Sequence, residues 1–221
     1  MNLKYLIIHC TATPRGREIT KEWIEHVHLV GRGWSQVGYS ELIHLDGTIE
    51  TLVEYNDDDV VDKWEITNGA RGMNSKSRHI VYAGGVSAKR INGKYKAEDT
   101  RTDEQKKSLE EYVKEQTAIH PNWKIAGHYH FAAKACPSFN VEEWLKEIGI
   151  PEKNIYTKNK TVFKLFTPFK SKAEGDKFRL WVNNYHSEYA KSINLDKKGS
   201  HNNSFILKAY KKLGKDYEKR P

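Results

Sequence analysis

The sequence predicts an α/β fold, with a central mixed β-sheet flanked by helices over residues 1–150 and a small, mainly helical, basic unit after it. Three observations carry this expectation. Short apolar runs of strand character alternate with segments of helical period through the first 150 residues. A Gly149-Ile150-Pro151 break then opens a polar stretch that reaches Lys160. Charge divides at the same place: residues 1–150 hold 20 Lys plus Arg against 22 Asp plus Glu, and residues 151–221 hold 17 against 7. The whole basic excess therefore sits in the last third. Asymmetry of this kind separates units with different work, so we expect a domain over 1–150, a linker over 151–160 and a basic domain over 161–221.

Each element has a local cause. Leu3–Cys10 is a compact apolar run, read as a buried strand that delivers His9 near its C-terminal end. Thr20 is placed to cap a helix in which Trp23, Ile24, Val27 and Val30 recur at helical spacing until Gly31 and Gly33. Tyr39–Leu45 and Thr48–Val53 flank Asp46-Gly47, a hairpin signal. His79–Ala83 reads as a second buried strand, closed by Gly84-Gly85. Thr102 to Ile119 predicts the clearest helix, because Thr102 and Gln105 have capping-box spacing and Leu109, Tyr112 and Val113 share a face. Lys124–Phe131 reads as a strand and Val141–Ile148 as a short helix ending at Gly149. In the basic unit, Val162–Phe166 suggests a strand, and Glu174–Tyr185 and Asn203–Leu213 suggest helices.

Composition narrows the class. Mean hydropathy is −0.79, yet 38% hydrophobic and 11% aromatic residues suffice for a core. No run approaches the roughly 18 apolar residues of a membrane span. The N-terminus, with an apolar stretch of only a few residues, does not read as a secretion signal, so the protein is expected in the cytoplasm of the producing cell. Two cysteines, Cys10 and Cys136, make no disulfide scaffold.

The segment Gly127-His128-Tyr129-His130 through Lys134-Ala135-Cys136-Pro137 carries the chemical signal. Zinc takes imidazole nitrogen and thiolate sulfur, and a catalytic site keeps three protein ligands and one open position. His128 and Cys136 can reach one metal if the loop between them folds back. His9 can complete the set if its strand neighbours theirs. On spacing alone the signal is weak, and His130 competes with His128, since residues two apart on a strand share a face. Cys10 follows His9 directly, so on a strand it points the other way and reads as a buried apolar residue.

The ordered motifs sharpen this. Ile8-His9-Cys10-Thr11-Ala12-Thr13, Gly33-Trp34-Ser35-Gln36-Val37-Gly38-Tyr39, Leu45-Asp46-Gly47-Thr48-Ile49, Asn74-Ser75-Lys76-Ser77, Ala83-Gly84-Gly85 and Lys134-Ala135-Cys136-Pro137-Ser138-Phe139-Asn140 together resemble the N-acetylmuramoyl-L-alanine amidases of the phage T7 lysozyme type. Animal peptidoglycan-recognition proteins share that fold. The resemblance covers residues 3–148 and keeps the family's order. It implies zinc ligands at His9, His128 and Cys136, a catalytic tyrosine at Tyr39 and a catalytic lysine at Lys134. It also implies Zn2+ as cofactor, bacterial peptidoglycan as substrate, and hydrolysis of the amide between N-acetylmuramic acid and L-alanine, as in a phage-type endolysin acting on the wall after release. A non-catalytic peptidoglycan-recognition protein is the alternative, and members of that kind typically lack the cysteine. The chain departs from the family at Ser40, where relatives usually carry His, and at Arg71, where many carry a substrate-side His.

Several residues have plainer readings. His44, His79, His120, His186 and His201 read as surface or hydrogen-bonded polar residues. Trp23, Trp34, Trp64, Trp123 and Trp144 read as core or rim aromatics, with Trp34 and Trp64 placed to flank a glycan groove. The basic unit either solvates a small domain or tethers the enzyme to an anionic wall polymer or membrane surface, which would raise its effective concentration at an insoluble substrate. No specific nucleic-acid motif marks that unit, and nucleic acid is not expected as a partner. A monomer is the default for a hydrolase of this size.

Overall fold

The computed structural model describes residues 1–157. The basic unit predicted over 161–221, with its three predicted elements, lies outside the described residues, as do His186 and His201. Strand β1 (Tyr5–Cys10) lies inside the sheet, and its last five residues are buried. It runs parallel to β5 (Ser77–Tyr82) on one side and to β7 (Lys124–Gly127) on the other. Strand β3 (Glu41–Ile43) is parallel to β5, and β4 (Ile49–Thr51) returns antiparallel beside β3. The order is β4-β3-β5-β1-β7, a mixed sheet as the sequence predicts. A short parallel pair, β2 (Thr13–Pro14) with β6 (Gly85–Val86), continues past the ends of β1 and β5. Strands covered on both faces read as continuous apolar runs, which is why β1 and β5 were legible.

Each face of the sheet has its own core. Leu6, Ile8, Cys10, Ile80, Tyr82 and Ile125 project to one side. They meet Leu109, Tyr112 and Val113 of α2 (Asp103–Ile119), and Val141, Trp144 and Leu145 of α3 (Val141–Glu147). On the other side Leu42, Val81 and Ala83 pack with Ile19, Val37 and Ile24, the last from α1 (Lys21–Glu25). Each fully buried aliphatic side chain contributes roughly 1.5–3 kcal/mol. Because side chains alternate along a strand, Cys10 falls in the first core while His9 faces the second side. The fold thus delivers His9 to a face that α2 and α3 do not cover.

The caps anchor the helices where the sequence places them. The Trp23 N–H donates to Thr20 Oγ1 at 3.2 Å. The predicted helix through Val30 is in fact α1 followed by a π turn over His26–Val30, closed by the Gly31 N–H on the His26 carbonyl. At α2 the capping box is complete: the Gln105 N–H donates to Thr102 Oγ1 and the Thr102 N–H to Gln105 Oε1, both at 3.0 Å. Gln105 Nε2 also donates to the carbonyls of Ile43 and Ala83, which docks the helix on the ends of β3 and β5. The hairpin between β3 and β4 packs on the same helix. Gly47 has φ +85°, and a Cβ there would sit 2.7 Å from Ser108 Oγ and 3.0 Å from the Glu104 carbonyl oxygen.

Strand boundaries are the main difference. Strand β1 starts at Tyr5 rather than Leu3, whose N–H donates to the Asp59 carbonyl instead. The strand predicted over Lys124–Phe131 stops at Gly127 and gives way to a 3-10 turn over His128–His130. Local bonds replace the ladder there. The Gly127 N–H donates to His130 Nδ1, the Phe131 N–H to the His128 carbonyl, and the Tyr129 N–H to the Cys136 carbonyl. His128 and His130 therefore do not share a strand face, and the periodicity argument that set them in competition does not apply. Among the described residues no helix is long and apolar enough to cross a membrane.

Candidate metal centre

Three side chains from distant parts of the chain converge at the C-terminal end of β1 and β7. His9 comes from β1, His128 from the turn after β7, and Cys136 from the loop that follows. Their ligand atoms all lie within 4.8 Å of one another. Cys136 Sγ is 3.8 Å from His9 Nδ1. In a tetrahedral zinc site with Zn–N of about 2.0–2.1 Å and Zn–S of about 2.3 Å, a nitrogen and a sulfur ligand stand about 3.6 Å apart. The donor set of two imidazoles and one sulfur, and its spacing, therefore fit a zinc ion.

The loop is tied down on both sides of Cys136. The Tyr129 N–H donates to the Cys136 carbonyl at 2.8 Å, and the Tyr82 hydroxyl donates to the Pro137 carbonyl at 2.6 Å. The Cys10 thiol and then burial push the Cys136 thiol well above its ordinary range in the metal-free chain, while the Cys10 N–H, which donates to Cys136 Sγ at 3.3 Å, works the other way. Cys10 and Cys136 are unbridged. The adjacency of Cys10 to His9 thus has a use: its backbone serves the centre while its side chain packs in the core.

Electrostatics keep the imidazoles neutral, the state that binds metal. Burial is the main reason that His9 is held well below its ordinary pKa, with His79, His128 and Lys134 adding to it. His128 is lowered to about 4 by burial and then by the Lys134 charge. Lys134 itself is exposed, and its positive charge acts on both His9 and His128. The Tyr39 ring centroid lies 5.2 Å from that of His9. Burial first, then the Cys136 and Cys10 sulfurs, raise the Tyr39 pKa, so its hydroxyl stays a proton-bearing donor.

Two histidines of the site were missed or misread in the sequence. His79, read there as an ordinary polar residue, is fully buried in β5 and places Nδ1 3.0 Å from His9 Nε2. His28, in the π turn, accepts the Gly38 N–H at its Nδ1 (3.2 Å) and meets the Tyr39 ring edge-on, with centroids 5.3 Å apart. A π turn widens the helix locally, and such turns are frequent at functional sites. The register of β5 against β1 carried the signal for His79, since Ile7 pairs with His79 and His9 is two residues further on the same face. For His28 no sequence pattern marked the role.

The remaining candidates sort by their partners. Both nitrogens of His130 are engaged, Nδ1 by the Gly127 N–H at 3.0 Å and Nε2 by Glu142 at 3.0 Å, which turns it away from the cluster. His44 lies between Glu18 and Glu50, and His120 bonds Asp59. Trp34 stacks on His28 with centroids 4.7 Å apart, beside the site, whereas Trp64 is exposed and Trp123 and Trp144 are core residues. Ser40 is buried next to Tyr55 and Arg78, so its side chain offers no surface to a substrate. Arg71 is exposed.

Comparison with known proteins agrees with this geometry. The family model described as N-acetylmuramoyl-L-alanine amidase matches residues 1–139. The endolysin of Enterobacteria phage K11 is 32% identical over 139 residues, which is 63% of this chain and 83% of that protein. Among solved structures, the Ph2119 endolysin from a Thermus scotoductus bacteriophage superposes with a TM-score of 0.52 at 23% identity, over 67% of this chain and 86% of that one. Drosophila PGRP-LB superposes with a TM-score of 0.50 at 21% identity, over 73% and 88%. These two likenesses establish a shared fold of mixed sheet and flanking helices. With a family model covering well over half its length, the chain belongs to the N-acetylmuramoyl-L-alanine amidase family.

Proposed function

We propose that this chain is a zinc-dependent peptidoglycan hydrolase of the endolysin kind, which cleaves the amide between N-acetylmuramic acid and L-alanine. The observation that carries the zinc reading is the convergence of His9, His128 and Cys136 within 4.8 Å. These three residues would hold the ion. A zinc ion bound there supplies Lewis-acid polarisation of the scissile carbonyl and a water of lowered pKa. The chain's own groups do the rest. The Lys134 ammonium and the Tyr39 hydroxyl donate hydrogen bonds to the oxygen that gains charge as the amide carbon becomes tetrahedral. Water adds to that carbon, and its collapse breaks the C–N bond, with the L-alanine nitrogen taking up a proton given by the attacking water and leaving as the amine. His28 supports Tyr39 by meeting its ring edge-on and accepting the Gly38 N–H.

Digestion of purified peptidoglycan tests the bond assignment. New L-alanine amino groups should appear with no new sugar reducing ends, whereas reducing ends without amino groups would sink it. We assign residues 161–221, with their cationic composition, to tethering at an anionic wall polymer or membrane surface after the enzyme leaves the cytoplasm. The full chain should then sediment with walls at low salt, and a chain ending at residue 157 should not.

A further inference from the structure

We propose that His79 is a positioning residue for His9. By accepting the Nε2–H of His9 at its own Nδ1, it fixes the tautomer and ring orientation that present His9 Nδ1 to a metal. The inference rests on the zinc reading above.

With His9 Nδ1 as the metal-binding atom, the geometry leaves one proton arrangement. His9 Nδ1 faces Cys136 Sγ at 3.8 Å, and His9 Nε2 faces His79 Nδ1 at 3.0 Å. A neutral imidazole has one N–H. If Nδ1 is to ligate, the proton must sit on Nε2 and be donated to His79 Nδ1. The proton of His79 is then on its own Nε2. That nitrogen is buried and has no hydrogen-bond partner among the described residues. A buried donor without a partner weakens the fold, because it gives up water and gains nothing in return. A role in packing alone would be served at lower cost by an apolar side chain, so the histidine needs another reason.

The His79 ring is also clamped. A Cβ on Gly69 would lie 2.5 Å from His79 Nδ1 and 2.5 Å from the Gly38 carbonyl oxygen, so the Gly69 backbone sits flush on the ring. The Ser40 N–H donates to the His79 carbonyl at 2.8 Å. One residue thus touches a metal-ligand candidate through its side chain and, through its backbone and its glycine neighbour, the segment that carries Tyr39. Metal-binding histidines usually give their second N–H to a carboxylate, a carbonyl or water, and loss of that partner typically weakens metal binding 10- to 100-fold. Here a neutral imidazole fills the place, without adding a negative charge to a centre that already has a thiolate.

The test measures zinc affinity of the full chain by competition with a chromophoric chelator, together with the visible ligand-field spectrum of the cobalt(II) form. His79→Asn keeps an acceptor near the Nδ1 position. His79→Leu removes it at similar volume, and His79→Gln moves it one bond outward. We expect about 10- to 100-fold weaker zinc binding and an altered cobalt spectrum in H79L and H79Q, with H79N close to the parent. Near-UV circular dichroism reports folding, and the H79N and H79Q pair carries the comparison if H79L fails to fold. Parent-like affinity in all variants would overturn the proposal, as would equal weakening in H79N and H79Q. A parent chain that binds no zinc defeats the underlying metal reading instead, and the parent titration shows this before any variant is made.

Discussion

Cys136 Sγ lies 3.8 Å from His9 Nδ1, across 127 positions of sequence. The sheet creates this meeting, because β1 and β7 are adjacent and parallel and both end at the site. If the pair and His128 hold zinc, removing any one of the three should empty the centre. We expect Cys136→Ser and His128→Ala to lose bound zinc and to slow amide cleavage on the order of 10³-fold or more, since a catalytic metal supplies several kcal/mol. Cys10→Ala should retain zinc. Metal analysis of the purified variants checks both statements.

The proposed roles of Lys134 and Tyr39 are on the reacting oxygen rather than on the metal. Lys134→Ala and Tyr39→Phe should each lower kcat on the order of 10²- to 10³-fold, the usual loss for one oxyanion donor, while zinc content stays at the parent level. Lys134 is exposed, so its removal should alter stability by less than about 0.5 kcal/mol. Steady-state kinetics beside a thermal melt separate these effects.

Acid should weaken the metal-free protein in a defined window. Burial, as the first cause in each case, lowers His28 and His128 to about 4 and His79 to about 3, from an ordinary 6.5. Below about pH 6.5 the unfolded chain therefore binds protons that the folded chain refuses, and stability is lost as pH falls through that range towards 4. The Tm of chelator-treated protein should drop steadily from pH 7 to pH 4, and His128→Gln should flatten the slope. A Tm that is unchanged over this range would contradict the assignment of these rings as buried and neutral.

Tyr82 links the core to the ligand loop. Tyr82→Phe leaves the Pro137 carbonyl without its buried donor, at a cost of about 1–3 kcal/mol. We expect a lower Tm and a several-fold faster release of zinc, because the loop on the far side of Cys136 loses its anchor. Chelator-driven metal release followed in a stopped-flow instrument reads this directly.

Local and ordered signals were legible in the sequence, and cross-strand ones were not. Thr102 and Gln105 announce α2 because the capping box is built within four residues, and Asp46-Gly47 announces its hairpin for the same reason. The motifs around His9, Tyr39 and Lys134-Ala135-Cys136 marked the site. Residues 128–131 read as strand because Tyr129 and Phe131 suit one, but the Gly127 amide finds the His130 ring instead of a ladder partner. His79 was passed over because β5 is buried on both faces, so no alternation singles out the histidine. Its meaning appears only once β5 is set in register beside β1. His28 depends on a π turn that helical periodicity does not reveal.

The central claim is amide hydrolysis dependent on a zinc ion at His9, His128 and Cys136. Its most direct test incubates the full chain with purified peptidoglycan and counts new L-alanine amino groups after stripping with a chelator and again after zinc is restored. Release should be steady from the zinc-loaded protein, absent from the stripped protein, and recovered on adding zinc back to the parent but not to Cys136→Ser. Equal release before and after stripping, or intact glycan–peptide linkages after prolonged digestion with zinc present, would contradict it.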